Sequence, residues 1–237
     1  RRLGQIRDAQ QAILVRPEEI PGANFAVHYL SILEAGGDFY DVFPVGNDVY
    51  VFFVSDISGH DLGASFATSA LKALIRQNTV DVYTAEETMQ MINQVLTQIF
   101  SDGQHLTSIF ARLDRSRGLL TLINAAHLPL LYLSSKGEMQ LLEADGDIVG
   151  AFAGGIYNRQ QISVQKGDRF FMYTDGLLEL FSDKTTRNRA EGLLELERLC
   201  LETRGLPVAQ AVQGIVAAMF SGSRQPEDDV ILLGVDI

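Results

Sequence analysis

The stretch GGDFYDVFPVGNDVYVFFVSDISGHDLG, residues 36–63, decides how the rest of the chain is read. It scans as two strands joined by a hairpin: Asp38 and Asp41 open the first, and the Gly46-Asn47 pair supplies the positive-φ residues of a tight turn. Val49 to Ser55 form the apolar return strand, which ends at Asp56. Small and polar residues follow (Ser58, Gly59, His60, Gly63) and lead into a helix from Leu62 to Gln77. An acidic residue thus stands where each strand meets the same loop region, a place suited to a metal ion.

Working outward, Phe25 to Ile32 alternates as a strand, and Thr84 with Glu87 forms a capping box that opens a second helix to Phe100. Met89, Ile92, Leu96 and Ile99 are expected on its buried face. Thr107 to Leu113, Leu119 to Ala125, Leu130 to Leu133 and Met139 to Leu142 read as an antiparallel meander. Gln160 to Gln165 and Arg169 to Thr174 read as a further hairpin through Gly167-Asp168, and the second of these ends at Asp175. Two helices follow, Arg189 to Thr203 and Pro207 to Phe220, then a final strand after Glu227-Asp228-Asp229. Strands in runs with helices inserted in pairs imply an α+β fold, not the alternating units of a nucleotide fold.

At the N-terminus, residues 1–16 form a unit apart from the domain of residues 17–237. Leu3, Ile6 and Ile13 make an apolar stripe consistent with a signalling helix and a possible homodimer seam. The chain starts at Arg1, and this first element reads as the tail of something longer, so an upstream receiver or sensor domain is expected. Nineteen Lys and Arg against thirty Asp and Glu give a formal charge of -11, which argues against nucleic acid. The single cysteine, Cys200, excludes an internal disulfide, and no apolar run approaches the ~20 residues of a membrane span, so no membrane association and a cytoplasmic location are expected.

Asp38, Asp56, Asp175 and Asp228 each lie at the boundary between an apolar strand and a turn. Gathered together they would repel one another unless neutralised, and hard cations with oxygen ligands are their natural partners. A carboxylate shared by two ions ~3.5–4 Å apart would generate hydroxide at neutral pH and clamp a phosphoryl group. Asp56 is the candidate for that bridge.

The segments GGDFYD, SDISGHDLGA, LTSIFARLD, INAAHLPLLYL, YTDGLLEL and EDDVILLGV, in this order and spacing, resemble the stage-II-sporulation-protein-E-like branch of the bacterial metal-dependent serine/threonine phosphatases. The resemblance covers Ile13 to Ile237. It implies two antiparallel β-sheets packed as a sandwich and flanked by pairs of helices. It also implies two ions, manganese or magnesium: Asp38, Asp56 and the Ile57 carbonyl would hold the first, and Asp56, Asp175 and Asp228 the second. Asp38 and Asp56 would be catalytic through the water between those ions. The substrate implied is a phosphorylated regulatory protein of the anti-sigma-factor-antagonist type.

The chain departs from the family pattern at Asp61, where SGHG is common, at Ala125-Ala126-His127 in place of AGH, and at Ile231 in place of Thr. The arginine that holds substrate phosphate in animal relatives has no counterpart, which leaves the grip on phosphate open. Two other functions are compatible with parts of the sequence. A phosphatase-like adaptor would bind a sigma factor or its antagonist with little catalysis. A diguanylate cyclase is suggested only by the letters GGD at Gly36 to Asp38, would lack the glutamate-phenylalanine that should follow, and would leave Asp175 and Asp228 idle. His60 is a candidate proton donor, whereas His127 reads as structural.

Overall fold

The computed structural model describes residues 11–32, 36–58, 62–101, 103–179, 189–221 and 226–237, the side chains of 62–66 excepted. Two five-stranded antiparallel sheets form its centre. One has the order β2 (Asp38–Gly46), β3 (Val49–Ile57), β4 (Leu106–Asp114), β5 (Leu119–Ala125), β8 (Arg159–Ser163). The other has the order β1 (Phe25–Leu30), β10 (Val230–Asp236), β9 (Arg169–Tyr173), β6 (Leu130–Leu133), β7 (Met139–Leu142). Helices α1 (Leu62–Asn78) and α2 (Ala85–Ile99) cover the outer face of the first sheet. The short α3 (Asp175–Glu179), α4 (Arg189–Glu202) and α5 (Val208–Met219) cover that of the second. The fold is α+β, a sandwich flanked by helices.

The continuous apolar run of β3 follows from this layering. Side chains alternate between the two faces of a strand, and both faces of β3 are covered. Phe52 and Val54 point into the space between the sheets, whereas Val51 and Phe53 point toward α1 and α2. Phe52 meets Phe170 of the other sheet edge-on at 5.4 Å and Phe25 at 6.4 Å between ring centroids, tying three strands together. Ala67, Leu71 and Ile75 of α1, with Met89, Ile92 and Leu96 of α2, supply the helical side of the outer core. Ile99, expected inside, is exposed at the end of its helix. The capping box is formed: Glu87 N–H donates to Thr84 Oγ1 at 3.2 Å and Thr84 N–H to Glu87 Oε2 at 2.8 Å.

Three local expectations are corrected. In the β2–β3 turn the left-handed residue is Asp48 (φ 58°), while Gly46 remains in β2 beside an irregularity in register. β8 and β9 do not form a hairpin: β8 pairs with β5 and β9 with β10 and β6, so the Gly167 turn carries the chain from one sheet to the other. The meander is likewise divided. β4 pairs with β5 and β6 with β7, and the chain crosses between sheets at residues 126–129. A tight turn between two short strands fits either arrangement. What separates them is which outer face each helix pair covers, information held far away in the chain.

Residues 11–13 are helical, and the chain just beyond is docked: Val15 is buried and its carbonyl accepts the Tyr40 hydroxyl at 2.8 Å. Leu3 and Ile6 of the expected stripe lie outside the described residues, so the expected signalling helix is described only at its end.

Candidate metal centre and phosphate cavity

Asp38 and Asp56 are direct partners across the β2–β3 ladder, one at the start of its strand and the other near the end of its own. The pairing is extended past the strands by Ile57 N–H, which donates to the Gly37 carbonyl at 3.2 Å. Ser58 closes the same corner, its amide donating to the His105 carbonyl and its hydroxyl accepting from the His105 amide, each at 2.8 Å. Ser58 is therefore a loop anchor. His60 and Asp61 lie outside the described residues.

The second sheet brings the other carboxylates. Thr174 follows β9 directly and Asp175 is the first residue of α3, a short helix where the sequence suggests a simple turn. Thr174 Oγ1 accepts from Ile231 N–H at 2.9 Å, and Thr174 N–H donates to the Ile231 carbonyl at 3.1 Å. β9 and β10 thus present Asp175 and the Asp228-Asp229 pair side by side. Gly176 makes that approach possible: a Cβ there would stand 2.1 Å from the Asp229 carbonyl oxygen. Asp229 is buried, accepting Ile32 N–H at 2.8 Å, and the exposed Asp228 accepts the Asp229 amide at 2.8 Å.

The electrostatics confirm that these groups feel one another. Burial, then Asp56, pushes Asp38 well above the usual carboxylate range, with the Thr174 hydroxyl opposing and Asp229 and Asp228 adding to the rise. Burial, then Asp175, Asp228 and Asp229, raises Asp56 to about 7, against the pull of Arg189. Asp175 is raised by burial, opposed by Arg189, with Glu179 and Asp228 adding. Carboxylates from four separate segments therefore share one field.

An ion of hard character fits this donor set. All the candidate side chains are oxygen donors, and Asp38 Oδ2 is buried with no hydrogen-bond partner, a costly state that a cation would relieve. The cage is not closed: among the described residues no three His, Cys, Asp or Glu side chains stand together at ion-binding spacing. Asp175 instead faces Arg189, whose Nη2 donates to Asp175 Oδ2 at 2.6 Å and to Glu179 Oε1 at 2.7 Å.

Beside these carboxylates lies a cavity of about 210 Å³ lined by Asp56, Asp175, Arg189, Thr107 and the residues 126–129. His127 holds its wall. Burial lowers its pKa to about 4, so the ring is neutral at physiological pH. Its Nε2–H donates to the Tyr173 carbonyl at 3.0 Å and its Nδ1 accepts the Thr107 hydroxyl at 2.7 Å, tying β9 to β4. Asn124 takes the His127 amide at 2.7 Å and donates to its carbonyl at 3.0 Å, holding Ala126 at φ 53° where the chain changes sheet. Both ring nitrogens are committed, so His127 is structural.

The sequence gives no partner for Asp41 and no role for Arg189. Asp41 is fully buried and clamped by Arg76, at 2.7 Å from Nε and 2.8 Å from Nη2, which fixes α1 to β2 three residues from Asp38. A basic residue one helix later was the available signal, but nothing in the sequence specified the pairing.

This layered arrangement is that of the PP2C-type phosphatases. The PP2C domain of SiaA from Pseudomonas aeruginosa superposes with a TM-score of 0.81 at 21% identity, over 99% of this chain and 95% of that one. The domain has the PP2C-type phosphatase fold, and the chain belongs to the stage II sporulation protein E (SpoIIE) family, whose model matches residues 46–237. It is 23% identical over 183 residues to the phosphoserine phosphatase RsbP of Bacillus subtilis, covering 76% of this chain and 45% of RsbP. The RsbU and RsbW domains of Rv1364c from Mycobacterium tuberculosis match at 25% identity and a TM-score of 0.78, over 90% of this chain and 59% of that one. The chain thus spans under half the length of RsbP.

Proposed function

We propose that this domain hydrolyses phosphoserine or phosphothreonine on a bacterial regulatory protein with two divalent ions, manganese or magnesium, at the carboxylate site. Asp38, Asp56, the Ile57 carbonyl, Asp175 and Asp228 would hold them, Asp56 being common to both. When bound, such ions supply an activated water and neutralise charge on the phosphoryl group. The observation that carries this reading is the gathering of mutually repelling carboxylates beside a cavity that Asp56 and Asp175 line, with Asp56 raised to about 7 and Asp38 Oδ2 buried without a partner.

The chain's own residues supply position. The β2–β3 register fixes Asp38 against Asp56, and the close contact at Gly176 fixes Asp175 against Asp228. His127, neutral and doubly bonded, shapes the cavity without moving a proton. The name of RsbP as a phosphoserine phosphatase supports the substrate chemistry. The pairing of RsbU and RsbW domains in Rv1364c supports a regulatory partner of the anti-sigma-factor-antagonist type, and an upstream receiver or sensor domain belongs to the same reading. A cytoplasmic setting agrees with the finding that no described helix is long and apolar enough to cross a membrane. Dimerisation through the N-terminal stripe remains part of the proposal, tested by light scattering of Leu3→Asp with Ile6→Asp.

One observation favours the adaptor as a second reading: Arg189 pairs with Asp175, and among the described residues the carboxylates do not close into an ion cage. Phosphate release from a phosphoserine peptide separates the two. The enzyme reading expects release that requires manganese or magnesium and is abolished in Asp175→Ala and Asp228→Ala. A wild-type domain inactive on every phosphoprotein offered, with partner binding intact in both variants, would establish the adaptor.

A further inference from the structure

Arg189 is the first described residue of α4, and the neighbouring Glu179 and Asp175 carboxylates favour its charged form. Its position is built. Three residues on, Gly192 packs so closely on α3 that a Cβ would stand 2.5 Å from the Leu178 carbonyl oxygen and 2.9 Å from its Cα. This backbone contact sets α4 against α3 and carries Arg189 over Asp175 and Glu179. Its side chain remains half-exposed, at the wall of the cavity that also contains Asp56. Among the described residues lining that cavity Arg189 is the only cation, since His127 is neutral. A phosphomonoester dianion entering there meets carboxylates from two sheets, and one planar fork able to bind two of its oxygens.

We propose that Arg189 grips the substrate's phosphoryl group, exchanging the Asp175 and Glu179 carboxylates for phosphate oxygens when Asp175 turns to an ion. This rests on the phosphatase reading above. The guanidinium is held beside the cavity in advance by the same carboxylates that would leave it, so little ordering is needed at the moment of binding. No covalent step is involved, and Arg189 stays protonated throughout.

The test is a titration of the magnesium-loaded domain with inorganic phosphate, followed by phosphorus NMR, alongside phosphoserine-peptide kinetics and a magnesium titration by calorimetry. In Arg189→Gln, phosphate affinity should fall and KM rise by about tenfold or more, with kcat lowered much less, because the lost contact is a charge-assisted pair made in the bound ground state as well. Magnesium affinity should stay equal or tighten, since a competitor for Asp175 is gone. Arg189→Lys, which keeps the charge and loses the fork, should be intermediate, and it decides the matter if the glutamine variant does not fold.

Phosphate affinity and KM unchanged in both variants would overturn the proposal and assign Arg189 to holding α4 in place. Weakened magnesium binding with unaltered phosphate binding would overturn it equally. If the wild-type domain releases no phosphate from any peptide, the phosphatase reading fails instead, and the phosphate titration still decides whether Arg189 binds the anion.

Discussion

The two ends of the sandwich treat the same side chain in opposite ways. At the end away from the cavity, Asp168 is buried, yet the Tyr132 hydroxyl and the Ser135 and Gln165 amides outweigh the burial and hold its carboxyl below the usual range. Asp114 is depressed likewise, burial being overcome by the Ser116 hydroxyl, the Arg117 amide and nearby guanidinium groups. Arg169 binds Asp236 at 2.5 Å and the Leu206 carbonyl at 2.7 Å. Arg115 donates to the Ala23 and Asp236 carbonyls, at 2.8 and 2.9 Å. At the cavity end Asp38, Asp56 and Asp175 are all raised, and one oxygen of Asp38 has no partner. A fold that satisfies its carboxylates at one end and strains them at the other has reserved the second end for something positive.

The largest test breaks the junction that assembles the strained end. Gly176→Ala would put a methyl group 2.1 Å from the Asp229 backbone oxygen, and backbone has no rotamer to yield. We expect a loss of roughly 3 kcal/mol or more by chemical denaturation together with loss of phosphate release, because the Asp228-Asp229 segment must move.

Substituting the carboxylates themselves sharpens the contrast. Asp168→Ala should cost about 2–3 kcal/mol, since it strands a buried tyrosine hydroxyl and two amides. Asp38→Asn and Asp56→Asn should leave the metal-free protein equally stable or more so, because each removes a repelling charge, while abolishing phosphate release. A clear loss of metal-free stability in both asparagine variants would refute the strain.

Acidity should divide the ends as well. Asp56 has its folded pKa raised from 3.8 to about 7, so its contribution to stability is full below 3.8 and is lost as pH rises through about 7. Asp114 and Asp168 are depressed, so their contribution is present above 3.8 and is lost as pH falls through their lower folded values. Thermal melting of metal-free protein should therefore peak in mild acid and decline toward pH 8. Divalent ion should remove the alkaline decline. The smallest effect lies away from both ends: Thr84→Ala should cost about 1 kcal/mol, the value of an N-cap, with phosphate release unchanged.

Much of this molecule was legible in its residues. The β2–β3 hairpin, the capping box at Thr84 and the apolar face of α2 through Met89, Ile92 and Leu96 follow from periodicity and capping chemistry, which act within a few residues. The likeness of the six motifs pointed to the phosphatase family and hence to Asp38, Asp56, Asp175 and Asp228. The division of strands between sheets was not legible, because two short strands joined by a tight Gly167 turn read as a hairpin, and their true partners, β5 for β8 and β10 and β6 for β9, lie far away in the chain. Asp48 in place of Gly46 at the turn reflects a shift in register that glycine counting misses. The clamps on Asp41 and Asp175 were hidden for a similar reason: Arg76 and Arg189 look like ordinary surface charges until the layers stack.

The most direct test is a calorimetric titration of manganese into metal-free protein at pH 7, repeated in buffers of different ionisation heat. With Asp38 and Asp56 both holding raised pKa values, ion binding at this pH must expel protons. We predict two ions bound with net proton release, and loss of at least one ion together with most of that release in Asp56→Asn. Binding that releases no protons, or that is the same in Asp56→Asn, would contradict a metal centre built on these carboxylates.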